Sequence, residues 1–413
     1  MDFRSRLMKK KHKGKVVLLH LAARYPFAGV MWQLIHHLVG LRELGLDVYY
    51  LEDHGAWVYD PIADAVSPDA SRNLKLLGQV MDRFGFRDRW SFLDVTSGEY
   101  VGMGRERSLR LLAEADAVIN LCGATHPREE HRRARCLVYL ETDPGVYQVR
   151  YAQGDDSARR MLDAHRVHFT YAANIGQPDC LLPTAGLHWH PTRPPVLLDE
   201  WLEQSATPMP AAFTTVGTWR NKGNDVELGG RTYHWSKHVN FAKMLDVPRR
   251  AGQAVELATD LNSGSDYEGA LAGGFSFRPV VPMSLDIDTY RSYIDASRGE
   301  FTVAKDLYVG TRSGWFSDRT VCYLAAGRPA VTQFTGFEKF IPAGDGLVGF
   351  ADDVSAVEVL RAVSADYPRH ARAARAALSS RARPPPAGGH TGGNRSATSS
   401  SFPENLPRLL RRP

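Results

Sequence analysis

Residues 299–350 read GEFTVAKDLYVGTRSGWFSDRTVCYLAAGRPAVTQFTGFEKFIPAGDGLVGF, and the order of textures in this stretch decides the fold. The apolar run at 301–304 predicts a short strand. A loop of small and aromatic residues, Ser313-Gly314-Trp315-Phe316, then leads into a helix predicted over 318–326 and closed by Gly327. Gly327-Arg328-Pro329 reads as a turn, and 330–333 and 347–350 predict two further strands. Strand, loop, helix, turn and strand in this order are the repeating unit of a parallel sheet. At the start of such a helix the free backbone N–H groups and the dipole form an anion site, here at Ser317 or Asp318.

The same texture extends backwards. Strands are predicted at 213–217, 255–258 and 276–281, with helices at 236–245 and 286–296. Asp286 and Asp288 form a D-I-D triplet, but at the head of a helix, where acids cap rather than bind metal. In the first half the run at 16–23 predicts a strand, 25–29 (YPFAG) a turn, 30–44 an amphipathic helix closed by Gly45, and 48–52 the next strand. This is a βαβ unit. Strands at 117–122, 136–141 and 168–172 and helices at 71–84 and 105–115 continue the series. Two successive series imply an α/β protein of two Rossmann-like, doubly wound lobes facing a cleft. The expected lobes are 16–205 and 206–378, joined through a Pro-rich stretch between Leu181 and Pro210. A basic arm, 1–15, precedes them, and a low-complexity tail, 379–413, is expected to be disordered.

A chain of 413 residues with 43% hydrophobic and 23% charged residues has ample material for two cores. Its formal charge of +5 is concentrated at the two ends, so the body carries no basic stripe of the kind that binds nucleic acid. Cys122, Cys136, Cys180 and Cys322 are scattered without a C-x-x-C pair, which fits a reduced, cytoplasmic compartment. The apolar run after the basic arm is short, contains His20 and turns at once, so it reads as a buried strand rather than a signal peptide. No run reaches the length needed to span a bilayer, which leaves weak contact of the arm with a membrane surface as the only membrane role expected.

The stretch from 297 to 350 resembles the donor-binding half of GT-B glycosyltransferases, and the pieces AGVMWQLIHHLVGLRELGLDVYYLED, ETDPGVYQVRY, AANIG, HPTRPPVLLDEW and FTTVGTW resemble a group of bacterial proteins described as glycosyltransferases. The resemblance implies transfer of a sugar from a nucleotide-diphosphate donor, held by the C-terminal lobe, to an acceptor held by the N-terminal lobe. It implies no bound metal and no cofactor beyond the donor itself. The sequence departs from the pattern at one place: retaining members carry two glutamates eight positions apart, and Gly314 and Cys322 stand there. Asp318 and Thr320 are the nearest polar substitutes.

Candidate residues follow from their places at strand ends. Ala28 and Gly29 allow a ligand to approach the backbone over the first sheet. A G-x-G-x-x-G triplet is missing there, so Glu52 and Asp53 do not mark a nicotinamide site. Asp143, in the turn after the strand 136–141, is a candidate general base for an inverting reaction, and His20 is the alternative. Both also have ordinary structural readings, as a D-P-G turn and a core histidine. Asn174 offers donors to a sugar. Arg220 and Lys305 follow strands of the second lobe and Lys237 opens a helix-like segment; any of them can neutralise a departing diphosphate, with Thr335-Gly336 as a second small-residue turn. His188 and His190 have metal-like spacing around Trp189 but no third ligand in register. Two further readings stay open: a nucleotide-sugar epimerase of the same fold, and a non-catalytic protein that binds a sugar nucleotide.

Overall fold

A computed structural model describes residues 14–201 and 210–379, which fall into two compact units. Most of the basic arm, the boundary expected at 205–206 and the tail from 380 lie outside the described residues. The first unit contains the described residues up to Thr142, with Arg159–Phe169; the second contains Asp143–Ala158 and the described residues from Thr170 onward.

The first unit is built on a sheet in the order Val167–Thr170, Leu137–Glu141, Ala117–Leu121, Lys15–Leu19, Asp47–Glu52, Trp90–Leu93, Tyr100–Gly102. The pairs from Leu137–Glu141 through Lys15–Leu19 to Trp90–Leu93 are parallel, and Tyr100–Gly102 at the edge runs antiparallel to Trp90–Leu93. Val16, Val17, Leu18 and Leu19 are essentially inaccessible, as are Ala117 to Ile119. Parallel strands covered on both faces need such unbroken apolar runs, which is why they are legible in the sequence.

The strand predicted over 16–23 stops at Leu19, and the reason is a carboxylate. Glu52 accepts hydrogen bonds from the backbone N–H groups of Ala23 (2.8 Å) and Arg24 (2.7 Å), and Tyr50 Oη accepts one from Ala22. These donors cannot also serve a sheet ladder, so the chain turns into the helix Ala28–Glu43.

In the second unit six strands run parallel in the order Phe275–Pro279, Val255–Thr259, Phe213–Val216, Gly299–Thr302, Ala330–Gln333, Leu347–Phe350. Numbered along the chain this is 3-2-1-4-5-6, the doubly wound order, and the first unit repeats it apart from its antiparallel edge strand. Its core gathers Phe213, Leu257, Phe301, Val331 and Phe350. The strands 330–333 and 347–350 match expectation to the residue, and Asp286 caps the helix Ile287–Asp295 through bonds from the N–H groups of Asp288 and Thr289. The helix expected over 236–245 shrinks to one turn, His238–Phe241, because Pro248 opens a separate helix, Val247–Ala251, and Asn240 is tied to the Ala304 carbonyl instead. Two helices not anticipated, Asp353–Ala365 and Tyr367–Ser379, close the unit; the first is capped by Asp352 accepting from the Ser355 N–H at 2.9 Å.

Among the described residues no helix is long and apolar enough to cross a membrane.

Candidate functional site

In a 3-2-1-4-5-6 sheet, loops after the first and fourth strands diverge to opposite faces and leave a crevice at the carboxyl ends of those strands. In the second unit these strands are Phe213–Val216 and Gly299–Thr302, and a single side chain spans them. Arg319, in the first turn of the helix Asp318–Ala325, donates to the Val216 carbonyl (2.9 Å), to Thr302 Oγ1 (2.9 Å) and to Glu300 Oε1 (2.6 Å). Glu300 is completely buried and the Arg319 side chain is 12% exposed. A buried carboxylate needs such a partner, and although burial lowers the pKa of the guanidinium, Glu300 outweighs it and raises it above the ordinary value.

Two lysines converge on the same edge. Lys237 lies beside Gly217, the residue that follows the first strand: a methyl group placed there would stand 3.6 Å from its Nζ and 3.7 Å from Arg319 Nη1. Its ammonium has no hydrogen-bond or ion-pair partner among the described residues. Burial, with Arg319 and Lys305 nearby, pushes its pKa well below the usual lysine range, against the smaller pull of Glu300 and Asp143. Lys305 follows the fourth strand, packs over the Trp235 ring with Nζ 3.3 Å from the centroid, and pairs with Asp143 Oδ1 at 2.6 Å. Burial lowers its pKa too, and Asp143 only partly offsets this. Two cations, Arg319 and Lys305, are thus matched by two carboxylates, Glu300 and Asp143, and the Lys237 amine is the group left without a partner among the described residues.

Asp143 receives a second hydrogen bond from Tyr308 Oη. Partial burial raises its pKa, but Lys305, Tyr308 and the more distant Lys237 outweigh that and hold it below the ordinary carboxylate value, with the side chain still 44% exposed. A carboxylate so held is a weak base and a firm anchor for Lys305.

The loop 313–316 is built by packing as much as by polarity. Gly314 has φ +80°, donates to the Thr335 carbonyl at 2.7 Å, and lies against Asn174 so tightly that a Cβ would stand 2.4 Å from the Asn174 nitrogen. Asn174 donates its N–H to the Ser313 carbonyl and its side-chain amide to the Arg312 carbonyl, while Lys339 binds its Oδ1. Asn174 is thereby a structural tie between two loops. Thr335 Oγ1 donates to the Trp315 carbonyl, and Gly336 takes the left-handed turn that follows. Trp315 packs against Tyr308 at 4.6 Å. Phe316 belongs to a hydrophobic cluster with Val321, Leu324 and Phe337.

The helix start has the form expected: Ser317 is the N-cap, its Oγ accepting from the Arg319 N–H at 3.2 Å. Asp318 is reached by Tyr171 Oη at 3.4 Å. Thr320 is fully buried, and Cys322 is buried and directs its thiol at the Asp318 carbonyl. Arg220 stands apart, 54% exposed, on Asp266. Arg319 and Glu300 were missed by sequence reasoning. The available signal was the acid inside a strand buried along its whole length, which demands a cation but does not say which one.

In the first unit His20 follows the strand Lys15–Leu19, fully buried, with Nε2 bonded to Gln33 Oε1 at 2.9 Å and no partner for Nδ1. Burial drives its pKa down to about 4, against weaker upward pulls from Gln33 and Glu52, so it is neutral at pH 7. Ala28 and Gly29 are the first residues of the helix Ala28–Glu43. His188 and His190 pack ring to ring around Trp189, whose indole N–H bonds the Thr184 carbonyl. No group of three or more His, Cys, Asp or Glu side chains among the described residues is placed to hold a metal ion.

No protein-family model matches the chain, and no curated protein matches it in sequence. Solved structures do match. AviGT4, a glycosyltransferase involved in avilamycin A biosynthesis, aligns over 89% of this chain and 92% of its own with a TM-score of 0.51 at 14% identity. An α-glucosyltransferase solved with UDP and a 13-mer DNA containing an HMU base covers 89% of this chain and 95% of its own, with a TM-score of 0.53 at 10% identity. At such identities the likeness is one of fold, and the fold is of the GT-B glycosyltransferase type.

Proposed function

We propose that the second unit holds the diphosphate of a nucleotide-sugar donor on Lys237, Lys305 and Arg319, and that the protein transfers the glycosyl group to an acceptor bound by the first unit. The observation that supports this most is the unpartnered Lys237 amine beside Arg319 and Gly217, at the crevice where open α/β sheets bind ligands. A lysine held uncharged-leaning by burial and by two neighbouring cations gains most when a dianion arrives. The helix N-terminus at Ser317 adds N–H groups nearby. Charge developing on the departing diphosphate is what such groups stabilise, and on this reading no metal ion is needed.

Asp143 and His20 are the base candidates, and they differ. Asp143 is engaged by Lys305 and Tyr308 and kept acidic, which suits it to positioning Lys305. His20 is a weak base too, through burial, but unlike Asp143 it keeps an unbonded Nδ1, and on that ground the acceptor proton is assigned to His20. The acceptor is a small molecule or a glycan.

The test is a panel of nucleoside diphosphates and nucleotide sugars, with released nucleotide as the readout. Transfer or slow donor hydrolysis supports the proposal. Isomerised donor would make the protein an epimerase, and tight binding without turnover a sugar-nucleotide-binding protein, a reading favoured by Gly314 and Cys322 at places where glutamates are expected. If no nucleotide binds, the central claim fails.

A further inference from the structure

The first unit contains a cavity of about 300 Å³ that none of the donor-site residues touches. It would accommodate on the order of ten waters, the lower end of the size range of small-molecule pockets. Its apolar lining is Leu93 and Leu109, with the ring of Tyr100. Its charged lining is Arg105, Arg128, Arg133 and Glu130.

These arginines are not equivalent. Arg128 is locked: it donates to the Asp53 carboxylate at 2.8 Å, to the Asp53 carbonyl at 2.9 Å and to Glu130 at 2.7 Å. Asp53 is itself completely buried and receives His131 Nε2 at 2.9 Å, so the wall behind Arg128 is a fixed, internally neutralised network. Arg105 and Arg133 have no carboxylate or other acceptor among the described residues, and neither has the Tyr100 hydroxyl. Arg105 and Arg128 both lie close enough to Tyr100 to oppose the rise in its pKa that burial and Asp53 produce. Two exposed arginines without an acidic partner among the described residues and an unpartnered phenol therefore line the same cavity as Leu93 and Leu109.

We infer that this cavity is an anion site, taking a ligand that carries a carboxylate or phosphate on a small apolar body. The planar guanidinium forks grip the oxyanion, Tyr100 donates to it, and Leu93 and Leu109 cover the apolar part. In the proposed reaction this unit takes the acceptor, so an acidic acceptor is the expected occupant. That assignment rests on the glycosyltransferase reading, whereas the binding itself does not.

Calorimetry on the full chain with phenyl phosphate, benzoate and phenol tests the inference. Phenyl phosphate or benzoate should bind, and phenol at least tenfold more weakly; which anion binds tells phosphate from carboxylate. The double variant R105A/R133A should lower anion affinity at least tenfold while leaving UDP binding and the urea unfolding midpoint in place. Lys305→Met should leave phenyl phosphate binding unchanged. The inference is overturned if neither anion binds, if phenol binds equally well, if R105A/R133A has no effect, or if Lys305→Met removes the binding instead. A wild-type protein that binds phenyl phosphate but no nucleotide would sink the donor proposal and leave this one standing.

Discussion

In the first unit the strand Lys15–Leu19 runs into His20, buried, neutral and hydrogen-bonded to Gln33; in the second the equivalent strand Phe213–Val216 runs into Gly217, beside Lys237 and Arg319. The strand order around both positions is the same, so the backbone geometry that makes the crevice is shared. What differs is charge. One reversal point is lined by a neutral imidazole with the Glu52 carboxylate nearby, the other by Arg319 and two lysines with two carboxylates. Identical topology therefore sets where a ligand can lie, and the side chains at the strand ends set which ligand it is.

The contrast can be broken most sharply at Arg319. Arg319→Leu leaves Glu300 buried without its cation, a loss expected to lower stability by about 3–5 kcal/mol in urea unfolding and to remove nucleotide binding. A change below about 1 kcal/mol would mean that the pair is not the strut between the two strands. Lys237→Met is expected to act differently. Taking away an unpartnered buried amine should leave the unfolding midpoint unchanged or raised, while UDP affinity falls roughly 10–100-fold by calorimetry. The anion favours the charged ammonium, so binding takes up protons and wild-type affinity should fall as pH rises through the lowered pKa of Lys237. A pH-independent affinity would remove Lys237 from the site. His20→Ala should spare UDP binding and reduce turnover, which sharpens the division between the units.

Gly314→Ala introduces a Cβ at a positive φ and against the Asn174 nitrogen, and should cost about 2 kcal/mol. Weakened nucleotide binding in that variant would show that the loop, and not the cations alone, shapes the pocket. Acid separates the units by a further route. His20, His36, His37 and His165 of the first unit are buried, with pKa values lowered by burial to about 4 for His20 and about 3 for the other three. The unfolded chain binds protons at these sites below its ordinary histidine pKa while the folded chain does not, so their stability contribution is complete above that value and is lost as pH falls from about 6.5 towards 4. The loss is on the order of 1 kcal/mol per histidine at pH 5.5, and tryptophan fluorescence combined with hydrogen exchange should show the first unit opening before the second. The smallest effect is expected at Arg220, exposed on Asp266: Arg220→Ala should change UDP affinity by less than about 0.5 kcal/mol.

Much of this architecture was legible because parallel strands buried on both faces leave continuous apolar runs, as at Val16 to Leu19 and Ala330–Gln333. Caps were legible for the same local reason: Ser317 and Asp286 bond N–H groups within three residues of themselves. The site was legible only in part. Lys305 stands out by its position after a strand and Lys237 by its position at a helix start, but Arg220 shares the first signal and pairs with Asp266 instead, because a position along the chain does not reveal where a long side chain ends. Asn174 and Phe316 have the composition of a binding loop and act as a tie and as core. Arg319 sits among candidate residues and was passed over, since its meaning depends on Glu300, nineteen positions earlier.

The division is physical. Periodicity, turn chemistry and capping are interactions between near neighbours, so the α/β class, the two series of units and the helix start at Ser317 are written into short windows of residues. Charge pairing and burial depend on partners brought together by the sheet order. Which lysine is left without a partner among the described residues, which aspartate is held acidic, and which arginine joins the first and fourth strands were settled only when residues some 20 to 160 positions apart met, Asp143 with Lys305 and Val216 with Arg319.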